Sequence, residues 1–168
     1  MPEPQLRSTD RIASAIKRLS ASAEVLESAS DEFAKPIEQL NQLLRRLNLG
    51  LATWKRVTGG EDDYDNYWKR EVGFAKIDGL WSLALRAVSG NHQYPDREDT
   101  DVWAFVEAPP SFRIEALPFV PDVIEELIKN TEKTAAKLKE TSTEARELAQ
   151  AATTAALEFK QEKKKGAK

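Results

Sequence analysis

Cysteine is absent from this chain of 168 residues, and histidine occurs only once, as His92. The absence of cysteine excludes disulfides, thiolate zinc sites and cysteine nucleophiles. The single histidine excludes a histidine-rich metal site and leaves any histidine-dependent catalysis to one residue. Glycine-rich nucleotide-binding patterns, G-x-x-x-x-G-K-[ST] and G-x-G-x-x-G, are also missing. We therefore predict a protein that is not an enzyme, with no catalytic residue, no metal and no cofactor.

Long apolar runs and a large net charge are missing as well. No stretch approaches the roughly 20 apolar residues that a bilayer-spanning helix needs, and the first residues lack the apolar run of a secretory signal. The formal net charge is −3, which gives no strong attraction to nucleic acid or to an anionic membrane. We expect a cytoplasmic protein with no membrane partner, and the net charge disfavours a nucleic-acid partner.

Most aromatic residues lie in the middle of the chain. All four tryptophans and all three tyrosines lie between residues 51 and 120, where 8 basic and 12 acidic residues give a net charge of −4. The flanking segments are rich in Ala, Ser, Thr, Glu, Lys and Leu. This division predicts five parts: a disordered N-terminus at 1–8, a long helix at 9–50, an antiparallel β head at 51–120, a second long helix at 121–162 and a basic disordered tail at 163–168.

The first long segment has a heptad pattern of apolar residues. One row contains Ile12, Leu19, Leu26 and Phe33, and a second row begins four residues later at Ile16. Such an a/d pattern is typical of a helix that packs along a narrow seam. Pro36 interrupts the segment and removes one backbone donor, at a cost of about 3 kcal/mol in a continuous helix. We expect a kink or a break there.

The last long segment repeats this pattern. Leu138 and Phe159 belong to one heptad row and Leu148 to the other. Both segments become richer in Ala, Ser and Thr away from the middle of the chain, and small residues let two helices approach closely. We predict that the two helices pair as an antiparallel coiled-coil-like hairpin with the head at its closed end.

The head is predicted to be an antiparallel sheet, because Asp78-Gly79 between two apolar-patterned runs is the preferred type I′ hairpin turn. Pairing Ile77 with Leu80 sets the register of the hairpin, including Glu71 opposite Arg86. Further strands are expected at 102–107 and 111–117, and 51–57 can add a fifth. The predicted fold class is therefore α+β, a β-meander of four to five strands between two long helices.

The two sides of this hairpin are predicted to differ. One side carries the large apolar residues Val72, Phe74, Trp81, Leu83 and Leu85, which makes it the core face. The other side carries small residues at 73, 75, 82 and 84. Such a surface either is exposed to solvent, which is the interpretation we prefer, or accepts a flat ligand or another backbone.

The function favoured by this pattern is protein interaction or scaffolding. The helix seams would bind a protein partner or a second copy in a homo-oligomer, since the distal part of a two-helix seam buries little area. The predicted partner-binding residues are the apolar seam positions Ile12, Ile16, Leu19, Leu26, Phe33, Leu138, Leu148 and Phe159.

The alternative function is small-molecule or nucleic-acid binding by the aromatic-rich sheet. The triplet Trp-Lys-Arg occurs twice, and aromatic side chains next to cations can stack on bases and hold phosphates. The residues of this alternative site are Trp54, Arg56, Trp68, Arg70 and Arg86.

A third, less favoured candidate is the polar loop around His92. A histidine beside acids can act as a general base, but no nucleophile motif accompanies it, and we interpret it as a solvated loop residue. The acidic clusters at 61–65 and 96–101 lack the calcium-binding loop pattern.

Overall fold

A computed structural model describes the backbone of residues 4–165 and the side chains of residues 8–160. The chain forms two compact units, one ending at Val123 and one starting at Ile124. It is a mixed helix and sheet protein, as predicted. The elements in chain order are α1 Pro4–Leu47, β1 Thr53–Glu61, β2 Asn66–Ile77, β3 Leu80–Asn91, β4 Asp99–Ala104, α2 Pro110–Ala116 and α3 Val120–Lys165.

Both long helices extend further towards the ends of the chain than predicted, and α1 ends at Leu47, three residues before the predicted end at 50. The described part of α1 begins at Pro4, inside the stretch expected to be disordered, and α3 continues to Lys165, inside the expected basic tail. The outermost residues of both predicted disordered stretches, 1–3 and 166–168, lie outside the described residues. Each long helix is described by itself, and their pairing as a hairpin stays a prediction.

Helix α1 is not split at Pro36, which lies inside one continuous helix. Pro36 and Glu32 are both exposed, so the Glu32 carbonyl that loses its helical partner is open to water. The helix ends at Leu47 because Asn48 adopts a left-handed conformation with φ of 47°. The backbone N–H of Asn48 donates to the Arg45 carbonyl at 3.0 Å, which closes the last turn.

The sheet is an antiparallel meander in the order β1-β2-β3-β4. Asp78 and Gly79 both have positive φ, at 47° and 87°, as a type I′ turn requires. The predicted register is confirmed at every pair, including Glu71 opposite Arg86. The optional strand at 51–57 is present as β1, and the strand expected at 102–107 is β4, which begins three residues earlier.

The strand predicted at 111–117 is wrong, because this segment forms the short helix α2. Proline can mark the end of a strand, but it is also favoured in the first turn of a helix, where Pro110 lies. Phe112, Arg113 and Ala116 are buried, at the spacing of a helix rather than of a strand. Tertiary packing decides between the two, since a short apolar run fits either.

The core face of the sheet is as predicted, with Val72, Phe74, Leu83 and Leu85 at most 1% exposed. The second half of α1 lies against β3 and contributes the buried residues Ile37 and Leu44. Arg45 fixes the helix to the strand, since its Nε donates to the Trp81 carbonyl at 2.6 Å.

Helix α2 is also attached to the sheet. The Phe112 ring meets the Trp103 ring edge-on with centroids 6.3 Å apart. Glu115 pairs with Arg70 of β2 at 2.9 Å. Aromatic contact and ion pair together place α2 beside the sheet, where its residues can help to form a site with α1.

The small-residue side of the hairpin is not exposed to solvent, which corrects the preferred interpretation. Ala75, Ser82 and Ala84 are buried. A Cβ added at Gly73 would lie 2.6 Å from the Trp54 ring and 2.2 Å from the Thr53 carbonyl oxygen. The flat group that approaches this side is therefore the protein's own Trp54, for which only glycine leaves room.

The second unit consists of α3 from Ile124 onward. Residues 135–160 are exposed throughout. The hydroxyl groups of Thr131, Thr153 and Thr154 each donate to the carbonyl four residues earlier, at 2.7–3.0 Å. In the described part of the chain, no helix has both the length and the apolar content that a membrane span requires.

Candidate functional site

The first unit carries an exposed apolar surface on α1, the α1 seam, formed by Ile12, Ile16, Leu19, Leu26 and Phe33. Every residue of α1 between 8 and 29 is exposed, and the first four seam residues are between 56% and 65% exposed. At 1.5 Å per residue this stretch is about 30 Å long. Phe33 differs, because it is half-buried and its ring stacks on Phe105 with centroids 6.2 Å apart.

The seam leads into a groove between α1 and α2, which we call the Arg113 groove. Its volume is about 210 Å³, and it is lined by Leu26, Ala29, Ser30, Phe33, Pro110, Arg113 and Ile114. Leu26 and Phe33 belong to both surfaces. Ile114 is 70% exposed at the other side of the groove. Seam and groove therefore form one continuous apolar surface ending at the head.

Arg113 is the one charged side chain that lines this groove, and it is only 7% exposed. Its Nη1 donates to the Ser30 hydroxyl at 2.9 Å and to the Val106 carbonyl at 3.2 Å. Its Nε is buried without a hydrogen-bond partner. The guanidinium lies 5.9 Å from the centre of the Phe33 ring. A buried cation that keeps a free donor is costly, and such sites occur where another group supplies the acceptor.

The remaining predicted seam residues lie on α3. Leu138, Leu148 and Phe159 are each more than 60% exposed. They belong to the second unit, which is described by itself. Each long helix therefore carries exposed apolar residues at heptad spacing.

The alternative ligand-binding residues are divided between the two sides of the sheet. Trp54, Arg56 and Arg86 lie at register positions on the side of Gly73, whereas Trp68 and Arg70 lie on the core side. Arg86 lies over the Trp54 ring at 4.2 Å and donates to Glu71 at 2.5 Å. Arg70 is paired with Glu115. The five residues do not converge on one pocket, and three of them are engaged with other side chains of the head.

A polar cavity of about 570 Å³ lies at the loop end of the sheet. Beside it, the His92 ring stacks on Tyr67 with centroids 4.7 Å apart, and His92 Nε2 is 3.4 Å from Glu61. Tyr67 donates its hydroxyl to Glu98 at 2.6 Å. This hydrogen bond raises the pKa of Tyr67 above its ordinary value of 10.0, so the phenol remains a donor at neutral pH.

Asp62, one of the carboxylates that line this cavity, is engaged with local backbone and amide groups. Asp62 accepts hydrogen bonds from the Asn66 side chain and from the Tyr64 backbone, and these bonds lower the pKa of its carboxyl group. Among the described residues no three histidine, aspartate or glutamate side chains are grouped as metal ligands. The arrangement is an exposed hydrogen-bonded loop.

The groove residues on α2, Pro110, Arg113 and Ile114, were missed in the sequence analysis. Arg113 and Ile114 lie in the segment predicted to be a strand, 111–117, where alternation would place them on opposite sides, and Pro110 directly precedes it. The signal that could have identified them is Pro109-Pro110 as a helix start, since a helix places Pro110, Arg113 and Ile114 on one face.

Comparisons of the chain with protein-family models, curated proteins and solved structures gave no match.

Proposed function

We propose that this protein is a non-enzymatic interaction module that assembles through the heptad-patterned faces of its long helices, with the β head as its folded anchor. The observation that carries this proposal is the α1 seam, where four large aliphatic residues recur at heptad spacing on a helix that is exposed throughout residues 8–29. Monomeric proteins rarely expose a contiguous apolar surface of this kind unless it binds something.

Burial of this surface would contribute a large favourable free energy to association. Full burial of an exposed aliphatic side chain contributes about 1.5–3 kcal/mol. Four such residues on one helix would therefore offset a substantial part of the cost of bringing two molecules together. Small residues flank the seam, including Ala13, Ala15, Ser22 and Ala29, so a second helix could approach closely along it.

The predicted antiparallel hairpin of α1 and α3 is part of this proposal. Each helix carries apolar residues at heptad spacing, and each becomes richer in small residues away from the head. Pairing of the two helices would bury one side of each seam. A partner protein or a second copy would then cover the remainder, as in helical bundles assembled from hairpins.

Ligand binding by the aromatic sheet has less support. Arg86 and Arg70 are held by Glu71 and Glu115 in the head, and Trp54 covers Gly73. Arg70, Arg86 and Trp54 would have to leave these contacts before they could bind a base or a phosphate.

The test compares two double variants of α1. Leu19→Asp with Leu26→Asp places charges on the seam, whereas Ala21→Asp with Val25→Asp places the same charges on exposed positions of the same helix outside it. We expect wild-type protein and the second variant to self-associate in sedimentation equilibrium, or to retain the same protein from a lysate in near-equal amounts. The seam variant should do neither, with an unchanged helical circular dichroism signal.

If the seam variant associates as the wild type does, α1 is not the assembly surface. If wild-type protein remains a monomer and retains no protein at near-equal amounts, the interaction function itself is wrong.

A further inference from the structure

We propose that the Arg113 groove binds an amphipathic helix of a partner protein, and that this helix carries one carboxylate within its apolar face. The proposal deepens the interaction function and rests on it, because it names the chemistry of the partner at the head end of the α1 seam. The groove provides apolar walls from Leu26, Phe33 and Ile114, with the Arg113 guanidinium between them.

The carboxylate is inferred from the state of Arg113. No carboxylate of the described residues lies within ion-pairing distance of this guanidinium, and Nη1 alone donates to described acceptors, Ser30 and Val106. The edge of the guanidinium formed by Nε and Nη2 therefore has no described acceptor, and Nε is buried. Since Nε is closed to an incoming group, Nη2 is the donor that a carboxylate in the groove would meet.

A helix is the occupant that fits the surroundings of this guanidinium. The groove continues into the α1 seam through Leu26 and Phe33, so the apolar surface is a stripe rather than a closed cavity. Amphipathic helices bind such stripes with residues spaced three and four apart. A fatty acid or another small carboxylate would leave the exposed part of the seam uncovered.

The flanks of the partner helix should be basic. The outer faces of α1 beside the groove are acidic, with Glu24, Glu27, Asp31 and Glu32, all of them exposed. A partner rich in lysine outside its apolar face would complement these charges. The expected occupant thus has leucine-like residues on one face, one glutamate or aspartate among them, and lysine or arginine elsewhere.

The experiment uses the full chain and labelled helical peptides of about 20 residues. Each peptide has leucines at a and d positions and lysines elsewhere, with one apolar-face position replaced by Glu; four peptides move this Glu along the face. Matched peptides carry Gln at the same position. Binding is measured by fluorescence anisotropy at low and at physiological salt.

We expect at least one Glu peptide to bind wild-type protein ten-fold or more tightly than its Gln partner. Arg113→Met should abolish that preference, whereas Arg97→Met, which removes an exposed arginine of the head, should retain it. Ile114→Glu places a carboxylate at the rim of the groove on an exposed position that does not threaten folding. It should weaken the Glu peptide more than the Gln peptide.

Equal binding of Glu and Gln peptides at all four positions, or a preference that persists in Arg113→Met, would overturn the proposal. If no peptide binds but association still depends on Leu19 and Leu26, the groove proposal fails and the interaction function stands. If no peptide binds and association does not depend on Leu19 and Leu26, the groove proposal and the interaction function both fail. Self-association of the wild-type protein that Arg113→Met abolishes, and that an excess of the Glu peptide reverses, would assign the groove to a second copy and overturn the separate partner.

Discussion

The side-chain oxygen of Asn41 in α1 accepts a hydrogen bond from the backbone N–H of Leu83 in β3, at 2.7 Å. Asn41 is 2% exposed and Leu83 is fully buried. Strand β4 pairs with β3 only from Ala84 onward, so this end of β3 is an edge strand. Open edges can pair with other chains. Here α1 side chains bind the Leu83 N–H and the Trp81 carbonyl, and the Leu83 carbonyl accepts from the Phe105 backbone N–H at 3.0 Å.

The first prediction concerns this bond. Asn41→Ala should lower the free energy of unfolding by about 1–3 kcal/mol, because the buried N–H of Leu83 loses its acceptor. Urea unfolding followed by tryptophan fluorescence measures the change. Gln42→Ala, an exposed position next to it, should have an effect close to zero. A comparable effect of the two substitutions would mean that the bond contributes little to stability.

The second prediction concerns the close contact of Gly73 with Trp54. Gly73→Ala places a methyl group within 3 Å of the Trp54 ring and of a backbone oxygen of β1. Overpacking of this kind costs about 1–3 kcal/mol, so we expect the thermal midpoint to fall by several degrees. At Gly60 the added methyl would meet only the movable Trp68 side chain at 3.1 Å. If Gly60→Ala destabilises the protein as much as Gly73→Ala, the backbone contact is not the cause.

The third prediction is that two arginine substitutions change stability in opposite directions. Arg113→Met should leave the free energy of unfolding unchanged or raise it, since it removes a buried charge that lacks a carboxylate. Arg86→Met should lower it by about 1–3 kcal/mol, because the largely buried Glu71 carboxylate loses its partner and Trp54 loses its cation. Denaturant unfolding of both variants at neutral pH tests the contrast. A marked loss of stability in Arg113→Met would contradict it.

The fourth prediction concerns the hydroxyl of Tyr67. Its pKa is raised because it donates to the Glu98 carboxylate. The neutral phenol is therefore favoured in the folded state, so its contribution to stability is complete below the unfolded pKa and is lost as the pH rises through the folded pKa. In an ultraviolet titration, the transition that Tyr67→Phe removes should lie above pH 10.0 and should move down in Glu98→Gln. No movement would show that Glu98 is not the cause.

The fifth prediction concerns Asp62 at the opposite end of the pH scale. Its pKa is lowered by hydrogen bonds to the carboxylate, first from the Asn66 side chain. The ionised form is favoured in the folded state, so its contribution is present above the ordinary value of 3.8 and is lost as the pH falls through the folded pKa. Carbon-13 NMR should show the carboxyl midpoint below 3.8, and Asn66→Ala should raise it. An unchanged midpoint in that variant would contradict the assigned cause.

Local rules were sufficient for the central hairpin and for the long helices. A two-residue Asp-Gly turn sets strand register by its own geometry, and the alternation of residue size then defines the core face. The heptad rows of α1 likewise predicted which of its residues share one face, because helix periodicity is a property of the backbone. For these elements the nearest neighbours along the chain contain the necessary information.

Tertiary structure decided what local patterns left open. The segment after Pro109 is a helix because Phe112 packs edge-on against Trp103 and Glu115 pairs with Arg70 of β2, contacts with other elements of the fold. The small-residue side of the sheet is covered by Trp54 for the same reason.

The Arg113 groove, too, was decided by tertiary contacts. It exists because two helices far apart in sequence lie side by side. Periodicity along one segment carries no information about which distant segment will pack against it, so the sequence determined the faces and the fold determined what they meet.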